Sequence, residues 1–83
     1  MTQYLITFRT LTQAQRAARL LERAGYTVTI RRTPAGLSAS GCGYAINLRR
    51  GVPEATEMLK RNGLWTGRLF RREQDGEYRE VMP

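Results

Sequence analysis

Tyr4-Leu5-Ile6-Thr7-Phe8 is the first apolar run of the chain, and its β-branched and aromatic content predicts a strand. Tyr4, Ile6 and Phe8 fall on one face, Leu5 and Thr7 on the other. Apolar residues on both faces suit an inner strand. Helical spacing takes over next: Ala14, Ala17, Ala18, Leu21 and Ala24 form one stripe, with Leu20 at its border. Gln13, Arg16, Arg19 and Arg23 lie mostly on the opposite side. Thr10 with Gln13, or Thr12 with Gln15, offers a capping box at the start. Gly25 is the expected stop.

Tyr26-Thr27-Val28-Thr29-Ile30-Arg31 alternates cleanly, with Tyr26, Val28 and Ile30 on one face, and predicts a second strand that ends before Pro34. A loop runs to Gly43. Tyr44 to Arg49 predicts a third strand, with Tyr44, Ile46 and Leu48 inward. A second helix opens at Gly51-Val52-Pro53, where the first turn tolerates a missing N–H. Glu54 and Glu57 suit its positive end, Lys60 and Arg61 its other end, and Gly63 ends it. Val52, Ala55, Met58, Leu59 and Asn62 lie on or near one face. Leu64 to Phe70 predicts a fourth strand, interrupted by Gly67. Asp75-Gly76 is a hairpin signal, after which Glu77 to Val81 either folds back as a fifth strand or runs on as a tail.

The order strand, helix, strand, strand, helix, strand is that of a split βαβ arrangement. It predicts an α+β, ferredoxin-like βαββαβ fold: a four-stranded antiparallel sheet, two helices on one face, and first and third strands central. The 83 residues show no repeat, low-complexity tract or linker, and are expected to form a single domain, residues 1–83. No apolar run approaches the roughly 20 residues of a membrane span. The start of the chain lacks the basic-then-apolar pattern of a secretory signal, so no membrane and a cytoplasmic location are expected.

Charge adds a second theme. Thirteen arginines and one lysine face seven acidic residues, a formal net charge of +7. Arginine suits bidentate binding of phosphate and carboxylate, and a basic domain of this kind invites comparison with nucleic-acid binders. There is no histidine and only one cysteine. That combination leaves out an internal disulfide, the common zinc-ligand sets, a Ser-His-Asp triad and a Cys-His pair, so neither metal nor cofactor is expected.

Chemistry then converges on the single cysteine, Cys42, between Gly41 and Gly43 and behind Ser38 and Ser40. A thiol without a histidine must be activated by backbone dipoles and basic side chains. The two glycines leave the sulfur unshielded and allow turns whose N–H groups converge on an anion. Ser38 and Ser40 supply hydroxyl donors. Arg31, Arg32, Arg49 and Arg50 flank the loop in sequence. A free cysteine at a strand entrance also serves as a small apolar packing residue, and both roles fit these residues.

The segment Leu37-Ser38-Ala39-Ser40-Gly41-Cys42-Gly43-Tyr44-Ala45-Ile46, with strand-helix-strand before it, resembles a family of small bacterial selenium/sulfur-carrier-like domains. Pro34, Ser38, Ser40, Cys42 and Gly43 match its proline-containing turn and Ser-rich loop ending in Cys-Gly. The resemblance covers roughly residues 3–65. Gly41 departs from it, standing where a bulkier or polar residue is expected, and the basic tail after Phe70 lies outside it. The resemblance implies that Cys42 as thiolate holds a sulfur or selenium atom as a persulfide or selenosulfide between donor and acceptor proteins. Release would then need an external thiol or acceptor, which makes the protein a relay subunit rather than a self-contained enzyme.

Two other readings compete. Sheet aromatics (Tyr4, Phe8, Tyr44, Trp65) with the arginines would suit nucleic acid, although no RNA-recognition strand motif is present. An exposed sheet that pairs with itself or a partner, with Trp65 and Phe70 as candidate contacts, would suit a protein-interaction module, although core packing is the more ordinary use of both residues.

Overall fold

The computed structural model describes residues 3–34, 37, 43–64 and 67–81. Five strands and two helices follow one another as β1 (Tyr4–Phe8), α1 (Leu11–Arg23), β2 (Thr29–Arg32), β3 (Tyr44–Leu48), α2 (Val52–Arg61), β4 (Leu69–Arg72) and β5 (Tyr78–Val81). One antiparallel sheet contains all five strands in the order β2-β3-β1-β4-β5. The four-stranded sheet expected from the sequence is therefore a five-stranded one. Of the two expectations for the C-terminal stretch, the strand is the one realised: Glu73 N–H donates to Glu77 O at 2.7 Å and Glu77 N–H to Asp75 Oδ1 at 2.9 Å, which closes the turn. Gly76 takes the positive φ this requires, +87°.

β1 lies at the centre of the sheet, as its two apolar faces foretold. Ile6 and Phe8 join Ile46, Leu48, Leu69 and the buried residues of both helices in the main core. Leu5 faces the other way and packs with Ala45 and Phe70 in a second, smaller core that contains no helix residue. Leu5 and Ile6 are both fully buried. The helices therefore cover one face only. α1 brings Ala14, Ala17, Ala18 and Leu21 down onto the sheet. α2 contributes Val52, Ala55 and Leu59, together with Thr56, whose hydroxyl donates to Pro53 O at 3.0 Å and so enters the core satisfied. No described helix is long and apolar enough to cross a membrane.

Element boundaries moved where a local bond outcompeted the strand pattern. β2 begins at Thr29 rather than Tyr26 because Tyr26 N–H donates to Leu21 O at 3.0 Å, across Gly25 at φ +95°, and so belongs to the C-terminal cap of α1. Tyr26, Val28 and Ile30 still pack against the main core. β4 begins at Leu69 rather than Leu64. Arg68 N–H donates to Thr7 Oγ1 at 2.8 Å, so a side-chain oxygen takes a bond that a regular ladder gives to a carbonyl. Thr7 N–H returns a bond to Arg68 O at 2.9 Å. Trp65, expected in this strand, lies outside the described residues. Of the two capping alternatives, Thr10 is the cap, its Oγ1 accepting from Gln13 N–H at 3.2 Å. The box is half formed, since the Gln13 side-chain oxygen is buried without a partner.

Gly67 is required by this close approach. A Cβ there would stand 1.8 Å from Thr7 O. Gly67→Ala is expected to force β4 away from β1 and to lower stability by about 2–3 kcal/mol, measured by urea denaturation. Thr10→Ala should cost about 1 kcal/mol, read in the same way, through loss of the α1 cap.

Candidate functional site

Two strands carry the candidate loop. β2 runs out through Arg32 to Thr33 and Pro34, and β3 enters from Gly43 to Tyr44. Thr33 N–H donates to Gly43 O at 3.1 Å, one step past the Arg32–Tyr44 pair, and this bond closes the mouth of the loop. Gly43 has φ +140°, a conformation that side chains rarely adopt, which gives the glycine after the cysteine a backbone reason. Ser38, Ser40, Gly41 and Cys42 lie outside the described residues; Gly43 is the one predicted site residue within them.

Leu37 anchors the loop between its ends. Its N–H donates to Pro34 O at 3.2 Å, and its side chain packs against the small core of Leu5, Ala45 and Phe70 on the helix-free face. Leu37 of the β2–β3 connection thus lies on the face that the helices leave open. Phe70 is buried there, in the core-packing role rather than as an interaction residue, with Tyr78 of β5 beside it.

The register sorts the four flanking arginines. Arg31 and Arg32 stand opposite Ala45 and Tyr44, at the end of the sheet where the loop opens. Arg49 and Arg50 leave β3 at its other end, about 13–16 Å away along the strand. They border an open cavity of about 670 Å³ with Gln3, Tyr26, Asn47 and Gly51. A different cation joins the loop end. Arg9 follows Phe8, which is paired with Tyr44, which is paired with Arg32. Arg9 and Arg32 are exposed, and neither has an ion-pair partner among the described residues. Sequence distance hid Arg9: 33 residues separate it from Cys42, and only the β1–β3 pairing brings it to this end.

Thr33 is the other residue that the sequence pattern did not single out. Its hydroxyl oxygen is buried and has no hydrogen-bond partner among the described residues. Buried hydroxyls are ordinarily satisfied, so this one is a spare polar group at the loop mouth. The signal was present in the sequence only as symmetry, Thr33 and Gly43 being the last residues before and after the loop.

The arrangement supplies a loop held at its mouth and at Leu37, flanked by guanidinium groups that have no ion-pair partner among the described residues, with one cysteine in the span. Chemically that suits an anionic sulfur, which nearby positive charge favours. The family described as "Putative Se/S carrier protein-like" matches residues 3–71, a span that contains β1 to the start of β4 and the whole candidate loop. The match reaches six residues further than the resemblance seen in the sequence motifs. Neither a curated protein nor a solved structure matches the chain. With 69 of its 83 residues covered, the chain belongs to this Se/S-carrier-like family.

Proposed function

We propose that the protein carries sulfur or selenium on Cys42 and relays it from a donor protein to an acceptor. The observation that carries this reading is the family match across residues 3–71, which includes the only cysteine of the chain. The pinned loop mouth at Thr33 and Gly43 and the cations at Arg9 and Arg32 support it. We take β1 to β4 with the two helices as a ferredoxin-like unit, to which β5 is added.

In the loading step the Cys42 thiolate attacks the outer sulfur of a donor persulfide, R–S–SH. A new S–S bond forms to Cys42, the donor's S–S bond breaks, and its inner sulfur leaves as a thiolate with the electron pair. The products are Cys42–S–SH and R–S⁻, so no external oxidant or reductant is consumed. An outer selenium atom transfers in the same way. An acceptor thiolate then attacks the outer atom, which regenerates Cys42 as thiolate. Ser38, Ser40, Gly41 and Gly43 serve as the small, hydrogen-bonding surroundings of the sulfur. A lone thiol persists in the reducing cytoplasm, which is where this chemistry belongs.

The test is the alkylation rate of Cys42 against pH in the folded protein. A midpoint below the ordinary thiol value of about 8.5, with gain of one sulfur mass after treatment with a small persulfide donor, is the expected result. Cys42→Ser should abolish loading and leave thermal unfolding unchanged within about 0.5 kcal/mol. Alkylation that becomes fast only on unfolding would instead identify a packing cysteine. Leu37→Ala should cost about 1 kcal/mol and bring the midpoint back toward that of a free thiol, through release of the loop anchor.

A further inference from the structure

The net charge of the protein is confined to one part of the chain. From α2 onward, Lys60, Arg61, Arg68, Arg71, Arg72 and Arg79 are matched by Glu54, Glu57, Glu73, Asp75, Glu77 and Glu80. Before α2, Arg9, Arg16, Arg19, Arg23, Arg31, Arg32, Arg49 and Arg50 face a single acid, Glu22, which leaves the entire +7 there. Ion pairing follows the same division. Arg68 with Glu80 at 3.8 Å, Arg71 with Glu73 at 3.2 Å and Arg79 with Glu73 at 3.3 Å all belong to the β4–β5 side.

Topology gathers the unmatched charges. α1 packs over β3, β1 and β2, and β2 is the edge of the sheet. Arg16, Arg19 and Arg23 recur at helical spacing on the exposed side of α1, away from buried Ala14, Ala17, Ala18 and Leu21. Arg31 and Arg32 are exposed on β2. The five like charges of α1 and β2 repel one another and cost stability, which a structural role alone does not require.

We propose that the α1–β2 flank docks an acidic protein segment, which adds as an extended strand to β2 and sets carboxylates against Arg31 on one face of the sheet and Arg32 on the other, within the positive field of the α1 arginines. The inference rests on the carrier reading, since a relay must bring a second protein to the β2–β3 loop, and Arg32 is one residue from the loop mouth. Three observations select this occupant. The outer edge of β2 is unpaired among the described residues, so its backbone groups are open to strand addition. Guanidinium groups bind carboxylates in a bidentate manner. The arginines disfavour pairing with a second copy of β2 while favouring an acidic strand. A single-stranded nucleic acid would need aromatic rings for stacking. The aromatic residues nearest this flank are committed elsewhere: Tyr26 and Tyr44 pack on the main core, and the Tyr26 hydroxyl donates to Gly51 O at 3.0 Å.

The experiment titrates the protein, isotopically labelled for NMR, with a short glutamate-rich peptide that carries carboxylates on both faces of an extended strand. Two charge reversals of equal size are compared, Arg16→Glu/Arg19→Glu on α1 and Arg61→Glu/Arg72→Glu on the balanced side. The expected result is a set of amide shifts at β2 and α1 that fades with added salt. The α1 pair should weaken binding roughly tenfold and the other pair much less. Absence of shifts at β2, or equal weakening by both pairs, overturns the proposal. So does binding of an oligothymidylate to the same flank at about 0.15 M salt where the peptide fails, which assigns the flank to nucleic acid. Loading of Cys42 from the small persulfide donor should be unchanged in the α1 variant. A Cys42 that cannot be loaded at all, with peptide binding intact, defeats the carrier reading and leaves the docking flank standing.

Discussion

Everything in this fold hangs on β1 being buried on both sides and along both edges. Leu5 and Ile6 are adjacent, point in opposite directions and are both fully buried. One is covered by the helices, the other by the small core of Ala45, Phe70 and Leu37. The strand pairs with β3 on one edge and β4 on the other. Burying a residue of this size contributes about 1.5–3 kcal/mol, so two adjacent ones are a large share of the stability of a domain this small. A loop residue, Leu37, is needed to complete the second core. The segment that carries the cysteine is thereby tied, at Leu37, to the packing of the central strand.

That coupling explains the unequal design of the two faces. The helix face is closed by alanines, which let α1 approach the sheet, and by the larger residues of β1, β3 and α2. The other face has only a short apolar patch over β1, β3 and β4, and the patch is as wide as one loop and one tyrosine can cover. On either side of it the strands show polar or charged residues: Thr29 and Arg31 on β2, Arg72 on β4, Glu80 on β5.

Much of this was legible in the alternation of Tyr4 to Phe8, the alanine stripe of α1 and the glycines at 25, 51, 63 and 76, because period and backbone freedom are local properties. The boundaries that moved were decided by partners remote in sequence or by competing local bonds. Tyr26 reads as a strand residue until its N–H is claimed by Leu21 O, and Leu64 reads as the start of a strand until Thr7, more than fifty residues earlier, supplies the oxygen that delays the ladder. The candidate site was legible as composition, one cysteine among glycines and serines, while its surroundings were not. Arg49 and Arg50 looked equivalent to Arg31 and Arg32 along the chain, and strand direction sends the two pairs to opposite ends of the sheet. The split of the net charge was present in the sequence as well, but it acquires meaning only when α1 and β2 become neighbours.

The central position of β1 also sets a timetable. Leu5 pairs with Phe70, a separation of 65 residues, so the earliest of these five strands waits for most of the domain before it gains its second neighbour. Until β4 emerges, β1 presents an apolar edge with no cover, a window in which a nascent chain is open to misassociation. The clasp between Thr7 and Arg68 sits where β4 first meets that edge. The centre of the sheet is therefore completed late in synthesis, and a truncation that removes β4 and β5 would leave the apolar edge of β1 uncovered.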